Sequence, residues 1–545
     1  MTRNSTTMPT TTLLLGGRIH TPSAPDATAM AVTGDTIVWV GQDGPGRALH
    51  GDADHVIDLH GAFVAPAFVD AHVHATATGL QMDGLDLTDC ASLAQCLHAV
   101  ATHVRTHPGQ LVWGHGWDQT RWPEQRPPTR AELDAVAGNT PVYLSRIDVH
   151  SAVVSTALLT RVPAATTATG FSDQGPLTRD AHHHARRAAR DALHPDQRRH
   201  AQLTFLRHAA THGIAAVHEC AGPDISGAED LAALLDLATD PDLPEVVGYW
   251  GETGAVDTAR RLGARGLAGD LFVDGSFGSH TAALTQPYTD HPTTCGAQYL
   301  DVEDITEHLI ACTRAGLQAG FHVIGDAATA AVLEGLRRAE TQLGLPALAS
   351  AGHRLEHLEM VTAEQAADLA RFGVLASVQP GFDAAWGGPD GMYAHRLGPA
   401  RAATLNPFAA LAAAGVSLAL GSDTPVTPIG PWQAIRAAVH HHTAGSGLSP
   451  RAAFTAHTRG GWRAAGHHDG LTGTLVPGAP ATYAIWDAPE LVVAAPDSRV
   501  QRWSTDPRSR VPGLPDLTPG GVTPTCLRTV LRGQPIFQRE GALTS

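Results

Sequence analysis

Lysine is absent from this chain, so all 37 of its permanently basic side chains are arginine. A P-loop needs a lysine against its phosphates, and Schiff-base or lysine-base catalysis needs the amine, so both are excluded. No G-x-S-x-G elbow is present either. The six cysteines (Cys90, Cys96, Cys220, Cys295, Cys312 and Cys526) form no C-x-x-C pair. That argues against a zinc knuckle or a disulfide framework and suits a reduced compartment. No stretch approaches the roughly 20 apolar residues of a membrane span. The amino terminus offers only "TTLLLGG", with no basic segment ahead of a long apolar run, so no signal peptide is read and a cytoplasmic protein is expected. Positive charge is scarce overall: 53 acidic residues give a formal charge of −16. This speaks against nucleic acid and membrane surfaces as partners and leaves a small molecule.

The chain does have 32 histidines, and its 545 residues exceed one small core. Residues 1–62 and 471–545 are turn-rich and β-like, and neither piece is long enough for a comfortable core, so one composite β-sandwich built from both termini is expected. Between them, eight apolar stretches alternate with alanine-rich helical ones: "AFVDAHVH", "GIAAVHEC", "EVVGYWGE", "DLFVDG", "AGFHVIGD", "HRLEHLEM", "VLASVQPG" and "VSLALGSD". Repeated βα units of this number predict an α/β fold, a (β/α)8 TIM-like barrel over residues 63–75 and 206–470. The first two strands lie far apart, so residues 76–205 are read as an inserted α/β segment leaving through one long helical run. His182, His183 and His184 in that run are expected on an exposed helix face, and His440–His442 at a solvated helix end.

In a strand, residues i and i+2 share a side. His72 and His74 in "FVDAHVHAT" would therefore both face the barrel axis at its C-terminal rim, where chemistry sits in this fold. Other strand ends carry His322, His357 and Asp423. Imidazole and carboxylate suit zinc and similar divalent ions, and the set is hard to obtain by chance. The competing reading is satisfied core histidines and a turn-starting aspartate. Less specific candidates for substrate contact are His150, with Asp148, in "SRIDVHS", and Asp274, Ser276 and His280 in the loop after the fourth strand. Trp113 and Trp386 are candidate pocket walls; for these, and for Trp117 and Trp122, packing is an equal alternative. His218 and Glu219 are read as supporting residues and Cys220 as core.

The motifs "APAFVDAHVHA", "VDGSFGSHTAAL", "FHVIGDAA", "RLEHLE", "LALGSDTPV" and "GHGWDQTRWPEQRPPTRAELDAV" together resemble the amidohydrolase superfamily and, within it, the YtcJ-like (amidohydrolase 3) family. The resemblance spans nearly the whole chain. It implies a metal-dependent hydrolase of C–N bonds, usually non-peptide amides, with Asp423 as proton shuttle and with His357 or the metal stabilising the oxyanion. Two positions depart from the family pattern. Asp270 stands where many relatives carry a lysine whose carboxylated form bridges two metals, and His280 replaces an arginine. An aspartate is shorter than a carboxylated lysine, so one zinc-like ion on His72, His74, His322 and Asp423, with His357 beside it, is favoured over two bridged by Asp270. The expected substrate is an N-acyl amine or formamide-type amide. The alternatives are heterocycle deamination, which "HVIGD" disfavours by lacking H-x-x-E, and a metal-poor regulatory or binding protein. A homodimer is an assembly the sequence allows.

Overall fold

The computed structural model describes residues 9–493 and 512–543. Its centre is one sheet of eight parallel strands in chain order: β1 (Phe68–Val73), β2 (Ile214–Ala221), β3 (Glu245–Trp250), β4 (Gly266–Leu267), β5 (Gln318–Val323), β6 (Arg354–His357), β7 (Leu375–Val378) and β8 (Ser417–Leu420). The sheet closes just past the end of β8. There Asp423 N donates to His72 O (2.8 Å), His74 N donates to Thr424 O (3.0 Å), and Val73 bridges Thr424. Gly421 permits this seam, because a Cβ there would lie 2.6 Å from His72 N. The fold is a TIM-like (β/α)8 barrel.

The helices between strands are set by local chemistry. The Asp301 side chain accepts from Glu303 N and Asp304 N and starts the helix Val302–Ala315; Gly316, at φ 69°, ends it and leads into β5. The fourth strand departs from its expected place. "DLFVDG" contributes only two isolated bridges, Phe272 to His322 and Asp274 to Gln298, and the strand is Gly266–Leu267 instead. Gly266 and Gly269 allow this close course: a Cβ on Gly266 would meet Gln318 O at 2.3 Å, and one on Gly269 would meet Cys220 at 2.8 Å.

The chain ends build two further sheets. Thr36–Gly41, Ala29–Thr33, Thr11–Leu15 and His55–Asp58 form one from the amino-terminal segment alone. Arg18–Ile19 and Phe63–Pro66 join Tyr483–Asp487, Thr525–Leu531 and Gln534–Gln538 in the other. Residues 76–205 carry their own five-stranded sheet, centred on the parallel pair Val112–Trp117 and Val142–Arg146.

The long helical run within 76–205 is two helices, Arg179–Asp191 and Pro195–Thr211. Pro195 cannot continue the first and opens the second. His182 is buried rather than exposed. It shares the inner face with Ala181, Ala185 and Ala189, and its Nε2 lies 2.9 Å from Tyr143 Oη. His440 is exposed, but His441 and His442 turn onto Asp383, so that helix end is only partly solvated.

Phe68 on β1 packs against Trp432 and Trp486, with ring centroids 5.1 and 5.7 Å away, and ties the barrel to the carboxy-terminal strands. Trp486→Ala removes that buried indole, and truncations of this kind cost about 3–5 kcal/mol. Urea unfolding should show a loss of that size; a loss below about 1 kcal/mol would mean that the two layers are energetically separate.

Candidate metal centre

Strand β1 presents His72 and His74 on one side, and both are buried. His72 donates from Nδ1 to Glu356 Oε2 (2.9 Å), which turns Nε2 towards Asp270 Oδ1 and Asp423 Oδ1, each 3.4 Å away. His74 Nε2 lies 3.1 Å from Asp423 Oδ1 and 3.4 Å from Asp270 Oδ2. His322 donates from Nε2 to Gly275 O (3.3 Å) and turns Nδ1 towards Asp270 Oδ1 at 3.8 Å. His357 donates from Nδ1 to Gln379 Oε1 (2.8 Å), so Nε2 carries a lone pair.

Three ligand triads result, and all use His72: His72–His74–Asp423, His72–Asp270–His357 and His72–Cys220–Glu356. In the third, Glu356 is already taken up by Arg354, which leaves the first two.

Strand parity alone would point His357 away from Glu356. It turns inward because the chain enters the left-handed region there, at φ 71° for His357 and 48° for Leu358; Asp423 does the same at φ 55°. Asp270 was expected to fall short. It reaches the histidines because the backbone makes a tight turn, with Leu271 N donating to Gly269 O (2.9 Å) and Gly269 at φ 78°.

A divalent ion suits these residues. His72 Nε2, Asp270 Oδ1 and His322 Nδ1 are buried and have no hydrogen-bond partner. Leaving such atoms unpaired costs about 1–3 kcal/mol each, and imidazole and carboxylate together are a ligand set for such an ion. Burial alone would raise Asp270, but His74, His322 and His72 outweigh it and hold the carboxyl well below its usual range. Burial and the neighbouring His322 push His357 down to about 3, so its ring is neutral, the form that binds metal.

The remaining sequence candidates divide. His150 is in the site, its ring centroid 5.2 Å from that of His322. Ser276 borders the same recess and donates to Asp148 Oδ2 (2.9 Å). Trp386 walls that recess with Phe382 and Tyr393, and Trp113 walls a second one on the far side of His74. Asp274 does not reach substrate space. It is fully buried and accepts from Ala283, Ile324 and Gly325 N–H groups, which makes it the organiser of the loop. His280 also lies outside the recesses and pairs with Asp290 at 3.1 Å. Trp117 and Trp122 are packed in the core of the inserted segment, His218 accepts from Arg354 (3.0 Å), and Glu219 accepts from Ala75 N (2.7 Å).

Residues 55–537 match the model of the family described as "Amidohydrolase family". The chain belongs to it. The putative amidohydrolase YtcJ of Bacillus subtilis (strain 168) is 28% identical over 70% of this chain and 74% of its own. The N-substituted formamide deformylase of Arthrobacter pascens is 26% identical over 82% and 86%. The crystal structure of an uncharacterized metal-dependent hydrolase from Pyrococcus furiosus superposes with a TM-score of 0.69 at 26% identity, covering 87% of this chain and 98% of that one. This amidohydrolase is accordingly a hydrolase with a site for a divalent metal.

Sequence reasoning passed over the residues that hold the ligands. Arg354 Nε and Nη2 donate to Glu356 at 2.5 and 2.9 Å, and Glu356 in turn orients His72. Burial would raise Glu356, yet Arg354 and His72 pull it below its usual range, so it accepts as a carboxylate. The signal was present in "HRLEHLE", where Arg354 and Glu356 stand two apart on one strand. Gln379 fixes His357 in the same way and follows β7 directly.

Glu356→Gln should weaken the hold on the His72 tautomer, and supporting partners of this kind are worth about 10–100-fold in metal affinity. Competition with a chromogenic chelator measures it. A folded variant that keeps wild-type affinity would show that Glu356 serves only Arg354.

Proposed function

We propose that the protein hydrolyses a non-peptide C–N bond in a small N-acyl amine or formamide-type amide, acting in the cytoplasm with one divalent ion, zinc. The observation that carries this is Asp423, whose Oδ1 sits against both His72 and His74 while the residue lines the recesses on either side of His357. The similarity to a formamide deformylase over most of both chains supports the bond type. The inserted segment supports a small substrate, since its Val149 and His150 cap the space over the cluster.

One ion would be held by His72 with His74 and Asp423 or with Asp270 and His357, and His322 stands beside Asp270 at 3.8 Å. Both triads draw on the single lone pair of His72 Nε2, which favours one ion over two. When bound, a divalent ion supplies Lewis acidity towards a carbonyl oxygen and lowers the pKa of water. Asp423, kept ionised by the imidazoles beside it, accepts the proton of the attacking water and returns it to the leaving nitrogen. His357 acts as a ligand in this reading, because a ring that donates from Nδ1 to Gln379 has no second proton for an oxyanion. Trp386 and Phe382 hold an apolar group of the substrate. The aspartate that closes "HVIGD" serves elsewhere: Asp326 accepts from Thr285 N at 2.9 Å, away from the recess, which gives deamination no proton carrier there.

Metal-loaded protein should turn over members of a panel of formamides and N-acyl amines and leave nucleobases untouched. Asp423→Asn should lower kcat by about 100–10,000-fold, the usual worth of general acid–base catalysis. Deamination of any nucleobase at a higher kcat/KM than every amide would sink the reading. Elemental analysis should find about one ion per chain, and two tightly held ions would refute the single site.

A further inference from the structure

Among the arginines of the helix Arg179–Asp191 and its neighbours, three have carboxylate partners: Arg187 pairs with Asp224, Arg190 with Asp191 and Arg198 with Asp230. Arg179, Arg186 and Arg199 have none within 4 Å among the described residues, and of these only Arg186 is buried. It is 8% exposed, its Nε is buried without any partner, and the one hydrogen bond it makes runs from Nη2 to His183 Nδ1 at 3.2 Å. His183 is a neutral acceptor, since burial and the adjacent guanidinium hold it at about 4. A desolvated guanidinium is costly unless something anionic meets it.

Its location says where that anion comes from. Arg186 borders both recesses that adjoin His74: the one over Asp270, His322 and Asp423, and the one walled by Trp113 and Tyr143. The carboxylates that share these walls have other partners, although Glu219 keeps its Oε1 unpaired. Asp230 takes Thr76 and Arg198, Glu219 takes Ala75 N, and Asp270 and Asp423 face the imidazoles. Arg186 is therefore a positive group at the edge of the reaction space with its donors unspent.

We infer that Arg186 receives a carboxylate of the substrate, so that the amide cleaved here belongs to the N-acyl or N-formyl amino acid class. The planar fork of a guanidinium matches the two oxygens of a carboxylate. A substrate held at this end and against the ligand cluster at the other has its scissile bond fixed between two points. This inference rests on the amide-hydrolase reading and narrows it.

The test compares N-formylphenylalanine with N-formylphenethylamine, which differ only by the carboxylate, in wild type, Arg186→Gln and Arg186→Lys. Wild type should favour the acid in kcat/KM. Arg186→Gln should reduce the acid-to-neutral ratio at least tenfold, and Arg186→Lys should restore part of it. An unchanged ratio in Arg186→Gln overturns the inference. Calorimetry with phenylacetate and phenylacetamide reads the same contact without turnover. Phenylacetate should bind wild type, weaken at least tenfold in Arg186→Gln, and recover in part in Arg186→Lys. Phenylacetate that fails to bind wild type, or binds Arg186→Gln equally well through the ion alone, also overturns it. If neither formamide is hydrolysed but phenylacetate binding depends on Arg186, the amide reading fails and the carboxylate site stands.

Discussion

Arg354 is the group around which the barrel interior is organised. It is fully buried on β6, and it reaches across to the other strands. Its Nη2 donates to Ala71 O of β1 (2.6 Å) and to Ser377 Oγ of β7 (3.1 Å), its Nη1 meets His218 of β2, and its Cζ lies 4.3 Å from the ring of Tyr249 on β3. A buried cation is tolerable only when paired and hydrogen-bonded, and the bidentate contact to Glu356 meets that condition. The pair then does something a hydrophobic filling could not. It fixes the Glu356 carboxylate where it accepts a hydrogen bond from Nδ1 of His72, and so decides which nitrogen of that ring faces the ligand cluster.

The cluster sits just above this support. Its ligands come from strand ends on both sides of the β8–β1 seam, and that seam is held by backbone bonds made by two of the ligand residues themselves, His74 and Asp423. Closing the barrel and assembling the site are the same event. The cost appears as backbone strain at His357 and Asp423, both held at positive φ, where residues with a Cβ are uncommon. The protein tolerates it because each residue is fixed from several directions by buried neighbours.

The inserted segment determines what can reach the cluster. Its sheet has a core of its own in which Trp117 and Trp122 are packed. The loop after the strand Val142–Arg146 lays Val149 and His150 over the barrel mouth, and the helix Arg179–Asp191 adds Arg186. Ser276 and Ser279 both donate to Asp148 Oδ2, so the barrel's loop after β4 clasps that lid. The ligands therefore come from the barrel, and the insertion adds Val149, His150 and Arg186 to the walls above them.

Much of this was legible in the chain itself. The period-two placement of His72 and His74, the repeated βα alternation and the absence of lysine depend on local pattern, and local pattern is what a sequence carries directly. What needed the folded molecule were distances set by the path of the backbone. The turn at Gly269 brings a short Asp270 to the histidines, and the left-handed step at His357 reverses the direction that strand parity implies. Asp274 and His280 looked like substrate contacts because they sit in a functional loop, but burial turns one towards three amide groups and Asp290 draws the other away. Arg186 drew no attention in the sequence and stands out only in the fold, where its Nε is buried without a partner beside the recess over the ligands. Composition and periodicity determined the barrel and the ligand types. Which charges are paired, and which are left facing the substrate, was decided by tertiary structure, because pairing depends on what packing brings within a few ångströms.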